Sequence, residues 1–316
     1  MAKVLRPLSH IYAWSVGRRF KLVSPYQASI PVICVGNISV GGTGKTPVCL
    51  TLADMFRKHG QGFFFLNHGY KARLKSVFVD GNVHTALDVG DEALLLAEKA
   101  PTVVDNHRAR GAQLAEKKGA PCLIMDDGFQ NPSLIKTFSF VVVDGRKGFG
   151  NEEVLPAGPL REPALRGLKR ADAVIISGAD EWGVQDFLNR NRIDLPVFKG
   201  KFILYEKPLQ ALRGQKVMAF AGLGDPEKFF ASLDGKGIDV ARKQVFPDHY
   251  FYTRFDIERL IHEAGGMPLV TTKKDAVKIP KDLQKKIHIV DGGFVFESEE
   301  EVWSAIEGAL VNDFDD

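Results

Sequence analysis

Fifteen residues, Val32 to Thr46, constrain the fold more tightly than any other stretch; they read VICVGNISVGGTGKT. A short apolar run, Val32 to Val35, ends at Gly36 and a glycine-dense turn follows. Lys45-Thr46 then opens a segment in which Leu50, Ala53 and Met55-Phe56 recur at helical spacing. Strand, glycine loop, Lys-Thr and helix, in that order, build a cradle for a nucleotide triphosphate. Glycines let backbone N–H groups turn inward on phosphates, and the helix N-terminus adds a favourable dipole. The expected nucleotide-binding residues are Ser39, Val40, Gly41, Gly42, Thr43, Gly44, Lys45 and Thr46. Lys45 is expected at the β- and γ-phosphates and the Thr46 hydroxyl on Mg²⁺. The pattern GxxxxGK[ST] is broken at its first glycine, which is Ser39, with Gly41 and Gly42 supplying flexibility nearby.

Downstream, apolar runs alternate with helical patterns. Gly62–Leu66, Thr102–Val104, Pro121–Met125, Phe138–Val143 and Ala173–Ser177 read as buried strands, and Val77–Val79 as a short extra one. Asp126 and Asp127 stand at the carboxyl end of one such run, the position from which acids reach a nucleotide-bound metal. Asp91-Glu92 opens a helix, where acids are ordinary capping chemistry. Residues 107–118 form a helix carrying Arg108 and Arg110, and residues 151–170 read as a long loop rich in Pro, Gly and Arg. After a connecting strand at 197–206 a second alternating set begins, closing with strands near 287–296 and a helix from about 299 to 310. The predicted architecture is α/β: a P-loop NTPase-like parallel sheet with helices on both faces, plus a second, smaller α/β lobe. The predicted division is 1–205 for the nucleotide-binding and catalytic lobe and 206–316 for the lobe closing over it.

Forty-two basic against 39 acidic residues leave a net charge of +3, too little to argue for nucleic acid. Cys34, Cys49 and Cys122 lie far apart within apolar runs, which points to buried thiols in a reducing compartment. The eight histidines follow no zinc pattern. No stretch qualifies as a membrane span. The N-terminus nevertheless carries Leu5, Leu8, Ile11, Tyr12 and Val16 at helical spacing, Trp14 beside them, and Lys3, Arg6, Arg18, Arg19 and Lys21 around them. Such a helix either docks on the protein's own core or lies in a membrane interface. No protein partner is implied.

Granted the cradle, three readings compete: a kinase or other ATP-driven enzyme, a GTPase, and a scaffold that binds without turnover. Thr272-Lys273-Lys274-Asp275 fits the TKxD guanine-reading pattern, but it lies more than two hundred residues after the P-loop. Neither Asp126 nor Asp144 has the glycine three places on that a GTPase switch requires. Ionisable groups at several strand ends disfavour the scaffold.

The string VGNISVGGTGKTP, GDE at 90–92, DDGFQ at 126–130, LPAGPLREP at 155–163, AGLGDPEKFF at 221–230, FPDHY at 246–250 and TKKDAVK at 272–278 occur in that order. Together they resemble the tetraacyldisaccharide 4'-kinase family, the lipid A pathway kinases of Gram-negative bacteria. The resemblance implies transfer of the ATP γ-phosphate, with Mg²⁺, to the 4'-hydroxyl of an acylated glucosamine disaccharide 1-phosphate, giving lipid IVA. It implies a peripheral, monotopic enzyme on the cytoplasmic face of the inner membrane, which favours the membrane surface as the partner of the N-terminal helix. It makes Asp91 the general base, His249 its partner once the lobes close, and Lys45, Asp127 and Arg108 further catalytic groups. Asp126 and Asp127 join Thr46 on the metal, and Tyr70, Gln130, Arg161 and Glu162 fall on the substrate side. The sequence departs from the family pattern at His68, where an arginine is usual, at Lys273 and at Asn131.

Overall fold

The computed structural model describes residues 2–312, with side chains from Val4 to Val311. The Lys3 side chain, counted above among the basic residues, lies outside that range. Thirteen strands are described. They are β1 (Val32–Gly36), β2 (Phe64–Asn67), β3 (Val77–Phe78), β4 (Thr102–Val104), β5 (Leu123–Asp126), β6 (Phe138–Asp144), β7 (Ala173–Ser177), β8 (Val197–Leu204), β9 (Lys216–Ala221), β10 (Asp239–Val245), β11 (Leu269–Thr272), β12 (His288–Val290) and β13 (Gly292–Phe296).

Nine of them form one sheet in the order β13-β8-β7-β6-β1-β5-β2-β4-β3. Only the two edges, β13 on β8 and β3 on β4, run antiparallel. The unbroken apolar runs noted in the sequence are its central strands, because a parallel sheet covered on both faces leaves no side of the strand wet. Alternate residues serve opposite faces. Val32, Cys34, Leu123 and Met125 face one core, while Ile33, Val35, Ile124 and Phe140 face the other. The second core is closed by the helices Lys45–Lys58 and Glu299–Asn312, through Leu52, Phe56, Val302, Trp303 and Ile306. Fully burying one such side chain is worth about 1.5–3 kcal/mol, and all three cysteines are buried here or nearby.

The other four strands form a parallel sheet, β10-β9-β11-β12, with its own core on each face. Its strands run from Lys216 to Val290, within the 206–316 expected for the second lobe. A single residue, Asp291, separates β12 in the small sheet from β13 in the large one. Apolar residues continue across that point, so the sequence reads one region where the chain changes sheets. Residues 292–312 therefore return to the large lobe, and the small lobe is an insertion between β8 and β13. The long loop at 151–170 also contains a short helix, Ala164–Leu168.

The N-terminal segment is one helix, Ala2–Leu22. Tyr12 and Ala13 pack on the large-lobe core, Ser9 is buried and accepts a hydrogen bond from the Ala157 N–H (3.1 Å), and Arg6 pairs with Glu153 (2.7 Å). Its opposite face leaves Val4, Leu8, Ile11, Trp14 and Leu22 exposed. The docking on the protein's own core expected from the sequence is made by one face of the helix.

Candidate active site

The site lies where the carboxyl ends of the strands of both sheets face each other across a cleft of about 1090 Å³. Register places Asp126 beside Val35, one residue before β1 ends, so the acids of β5 and the glycine loop leave the sheet side by side. Gly41 (φ 103°) and Gly44 (φ 94°) hold left-handed backbone that other residues rarely adopt, and Gly44 caps the helix Lys45–Lys58. Ser39, by contrast, needs no such freedom. It bridges Leu160 in an extended pairing, with the Val40 N–H on the Pro159 carbonyl (2.8 Å) and the Arg161 N–H on the Ile38 carbonyl (2.8 Å). The LPAGPLREP loop therefore clamps the first half of the glycine loop, and a serine is accommodated where glycine is usual.

Thr46 donates its hydroxyl to Asp126 Oδ2 (2.9 Å), and Asn67 donates to the same oxygen (3.3 Å). Asp126 Oδ1 is buried without a hydrogen-bond partner among the described residues. Burial, together with the nearby Glu92 and Asp127 carboxylates, pushes the Asp126 pKa up to about 7. A hydroxyl and a buried, unsatisfied carboxylate oxygen side by side fit a divalent cation. Among the described residues no cluster of three His, Cys, Asp or Glu side chains forms a metal cage. Mg²⁺ needs none, since it keeps several waters and takes phosphate oxygens alongside one or two protein ligands.

Asp127 (φ 50°) turns the other way, with Lys45 Nζ 3.8 Å and Arg161 Nη1 3.1 Å from its Oδ1. Burial raises its pKa, but the Lys45 and Arg161 charges outweigh that and hold it low. The structure thus separates the two neighbouring acids: Asp126 on Thr46, Asp127 on the cations. Arg108 is buried, and its guanidinium donates to the carbonyls of Asp126 (3.1 Å) and Asp127 (2.9 Å). Its contacts are those of a brace under the acidic turn, and it forms part of the cleft lining. Gln130 donates to the Asn37 carbonyl (2.6 Å) and accepts from Arg161 (3.4 Å). Glu162 does not line the cleft as expected for a substrate-side residue. It is buried, pairing with Arg170 (2.8 Å) and accepting from Gln130 (3.2 Å), so it supports the loop from behind.

Across the cleft, His249 Nδ1 stands 3.0 Å from Asp91 Oδ2, and Tyr70 packs its ring 4.9 Å from the imidazole. The pair is made without any further closure of the lobes. Burial raises the Asp91 pKa, but the His249 hydrogen bond and the Lys274, His249 and Lys278 charges prevail and hold it at about 2. Three small-lobe lysines, none assigned a role from the sequence, meet acids of the large lobe here. Lys273 pairs with Glu98 (2.8 Å), Lys274 with Glu92 (3.0 Å), and the buried Lys278 lies 3.8 Å from Asp91. No periodicity in the sequence pairs Lys274 with Glu92, 182 positions away.

The guanine-reading alternative fails on the same segment. Asp275 has no exposed surface, and its Oδ1 accepts from the Gly222 N–H (3.1 Å) and the Tyr252 hydroxyl (3.0 Å) and pairs with Lys278 (2.8 Å). Its Oδ2 accepts from the Thr272 hydroxyl (2.9 Å). The TKKD acid is spent inside the small lobe. His68 faces the cleft, and burial followed by the Arg108 and Lys75 charges lowers its pKa, so it does not supply the fixed charge of an arginine.

Comparison with known proteins agrees with this geometry. Residues 1–310 match the family model described as tetraacyldisaccharide-1-P 4'-kinase. A tetraacyldisaccharide 4'-kinase of Paramagnetospirillum magneticum is 46% identical over 294 residues, covering 92% of this chain and 89% of the relative. One of Rhodospirillum centenum is 42% identical over 300 residues, covering 94% and 88%. The crystal structure of LpxK from Aquifex aeolicus, described as an "apo" form in complex with ATP, superposes with a TM-score of 0.78 at 29% identity, covering 98% of this chain and 99% of that one. With the family model spanning nearly the whole length and relatives above two-fifths identity, the chain belongs to the tetraacyldisaccharide-1-P 4'-kinase family.

Proposed function

We propose that this protein transfers the γ-phosphoryl group of ATP to the 4'-hydroxyl of a tetraacyldisaccharide 1-phosphate, the reaction for which its relatives are named. The observation that carries this reading is the opposition, across one cleft, of a nucleotide cradle with its Thr46–Asp126 pair and a buried carboxylate oriented by a histidine. The Aquifex aeolicus relative was solved with ATP, which supports the same nucleotide here.

In the reading we favour, the glycine loop and Lys45 bind the phosphates, and Thr46 with Asp126 holds Mg²⁺, which supplies charge neutralisation when bound. Lys45 draws Asp127 and Arg161 to the phosphate end of the cleft, and Arg108 fixes the turn that aims both acids. Asp91 accepts the proton of the sugar hydroxyl, and His249 orients the carboxylate and shares that proton. A positioned base of this kind contributes roughly 10²–10⁴-fold. Tyr70, packed against His249, stands on the acceptor side, while Gln130 and, behind it, Glu162 support Arg161 at the phosphate end.

The exposed face of the N-terminal helix is the proposed membrane contact. Val4, Leu8, Ile11, Trp14 and Leu22 present apolar surface, and Arg18 and Arg19 stand beside it. Each basic residue close to anionic lipid is worth about 1 kcal/mol. Among the described residues no helix is long and apolar enough to cross a membrane, so the contact we propose is one of the helix lying on the surface. A kinase acting on this lipid belongs, in this reading, on the cytoplasmic face of the inner membrane, where ATP is available. The direct test is incubation with labelled ATP and the disaccharide lipid. A bisphosphorylated product is expected, and its absence under conditions in which a relative forms it would refute the assignment.

A further inference from the structure

Phosphoryl transfer gathers negative charge between the nucleotide and the acceptor, and the cradle supplies cations from one side only: Lys45 and, through Asp127, Arg161. The acceptor side, where Asp91 and Glu92 add two carboxylates, needs a compensating charge of its own. The small lobe brings lysines to the cleft, but two of them are turned to outlying acids. Lys228 pairs with Asp144 (3.7 Å), and Lys273 with Glu98 (2.8 Å) and Asp291 (3.1 Å). Lys278 has no exposed surface and is closed off by Asp275.

Lys274 differs from all three. It lines the cleft, and its Nζ lies 3.0 Å from Glu92 Oε1. Asp91 and Asp248 are within electrostatic reach of it, and Glu92 in turn acts electrostatically on Asp126. One ammonium from the small lobe therefore stands in the cleft against Glu92, the carboxylate next in sequence to the proposed proton acceptor.

We infer that Lys274 is a catalytic residue, a cation presented by the small lobe that contacts the γ-phosphoryl group as it passes to the acceptor oxygen. In that step a bond forms between the acceptor hydroxyl oxygen and the γ-phosphorus. The bond from that phosphorus to the β–γ bridging oxygen breaks, its electron pair leaving with ADP, and the hydroxyl proton passes to Asp91. Lys274 exchanges part of its contact with Glu92 for the equatorial phosphoryl oxygens, whose charge is greatest at mid-transfer. A single preorganised donor of this kind is worth about 10²–10³ in kcat. The inference rests on the kinase reading above.

The test pairs steady-state kinetics with calorimetric binding of ADP, Mg²⁺ and aluminium fluoride, which mimic the transferring group. Lys274→Met is expected to lower kcat by roughly 10²–10³-fold, to leave ATP affinity within a few-fold, and to lose analogue affinity by the same factor as kcat. Lys274→Arg keeps the charge and restores much of the analogue binding. Lys273→Met removes an ion pair of the same kind one residue away and leaves analogue affinity as in the wild type. Glu92→Gln breaks the Lys274 pair but keeps the ammonium, and so retains analogue binding even if Lys274→Met proves unstable. Equal loss of ATP and analogue affinity in Lys274→Met and Glu92→Gln would make the lysine only a bridge between lobes and overturn the inference. Wild-type analogue affinity in folded Lys274→Met overturns it too. If the wild type itself forms no ADP with the disaccharide acceptor, the kinase reading fails instead.

Discussion

His249 Nδ1 lies 3.0 Å from Asp91 Oδ2, although 158 positions separate the two residues in sequence and each belongs to a different lobe. That contact makes the proton acceptor a property of both lobes together. Asp91→Asn and His249→Ala are each expected to lower kcat by about 10²–10⁴-fold, with circular dichroism unchanged. A folded variant of either kind turning over at the wild-type rate would remove the pair from the mechanism.

Asp126 holds a position that suits the metal better than the fold. Its pKa is raised, first by burial and then by Glu92 and Asp127, to about 7. A carboxyl raised in the folded state costs stability once pH exceeds the unfolded value near 4, and the cost grows until the folded value is passed. In chelator and without nucleotide, Asp126→Asn is therefore expected to melt at a higher temperature than wild type at pH 8. The difference should narrow as pH approaches 4, while Mg²⁺-dependent turnover is lost at every pH. A variant less stable than wild type at pH 8 would contradict this account.

The N-terminal helix divides its two faces between protein and proposed lipid. Leu8, Ile11 and Trp14 are exposed, whereas Ser9, Tyr12 and Ala13 hold the helix to the body. Leu8→Gln/Ile11→Gln/Trp14→Gln should weaken sedimentation with anionic vesicles by about tenfold or more, each lost apolar contact being worth about 1 kcal/mol or more. The melting temperature should stay within a few degrees. Undiminished vesicle binding would move the anchor elsewhere.

Asp275 is a structural acid despite its place in a TKxD string. Asp275→Asn should lower the stability of the small lobe, because the buried Lys278 loses a partner at 2.8 Å. The preference for ATP over GTP should not change. Acquired or lost discrimination between the two bases, measured as a ratio of kcat/KM, would restore the guanine-reading view.

The parallel core and its cradle were legible because a two-sided buried strand leaves an unbroken apolar run, and a glycine loop before Lys-Thr has few other uses. The acids at 126 and 127 were legible as a pair but not as individuals. Only the positive φ at Asp127 separates the residue on Thr46 from the one on Lys45. Glu162 was misplaced because sequence shows a charge beside Arg161 and not that it points inward to Arg170. The sheet change at Asp291 and the Lys274–Glu92 pair are tertiary facts, with no periodicity to announce them. Ser39, an apparent defect in the motif, reflects an extended pairing with Leu160, 121 positions away.

The small lobe enters after β8 and leaves before β13, two neighbouring strands whose ends are tied by the Tyr205 N–H on the Asp291 carbonyl (3.0 Å). Both its ends thus hang from one point on the rim of the large sheet, as a door hangs from a single hinge. Any swing about that point would carry His249, Lys274 and Lys278 as one body, so proton acceptance and charge compensation would be gained or lost in the same stroke, without either lobe having to refold.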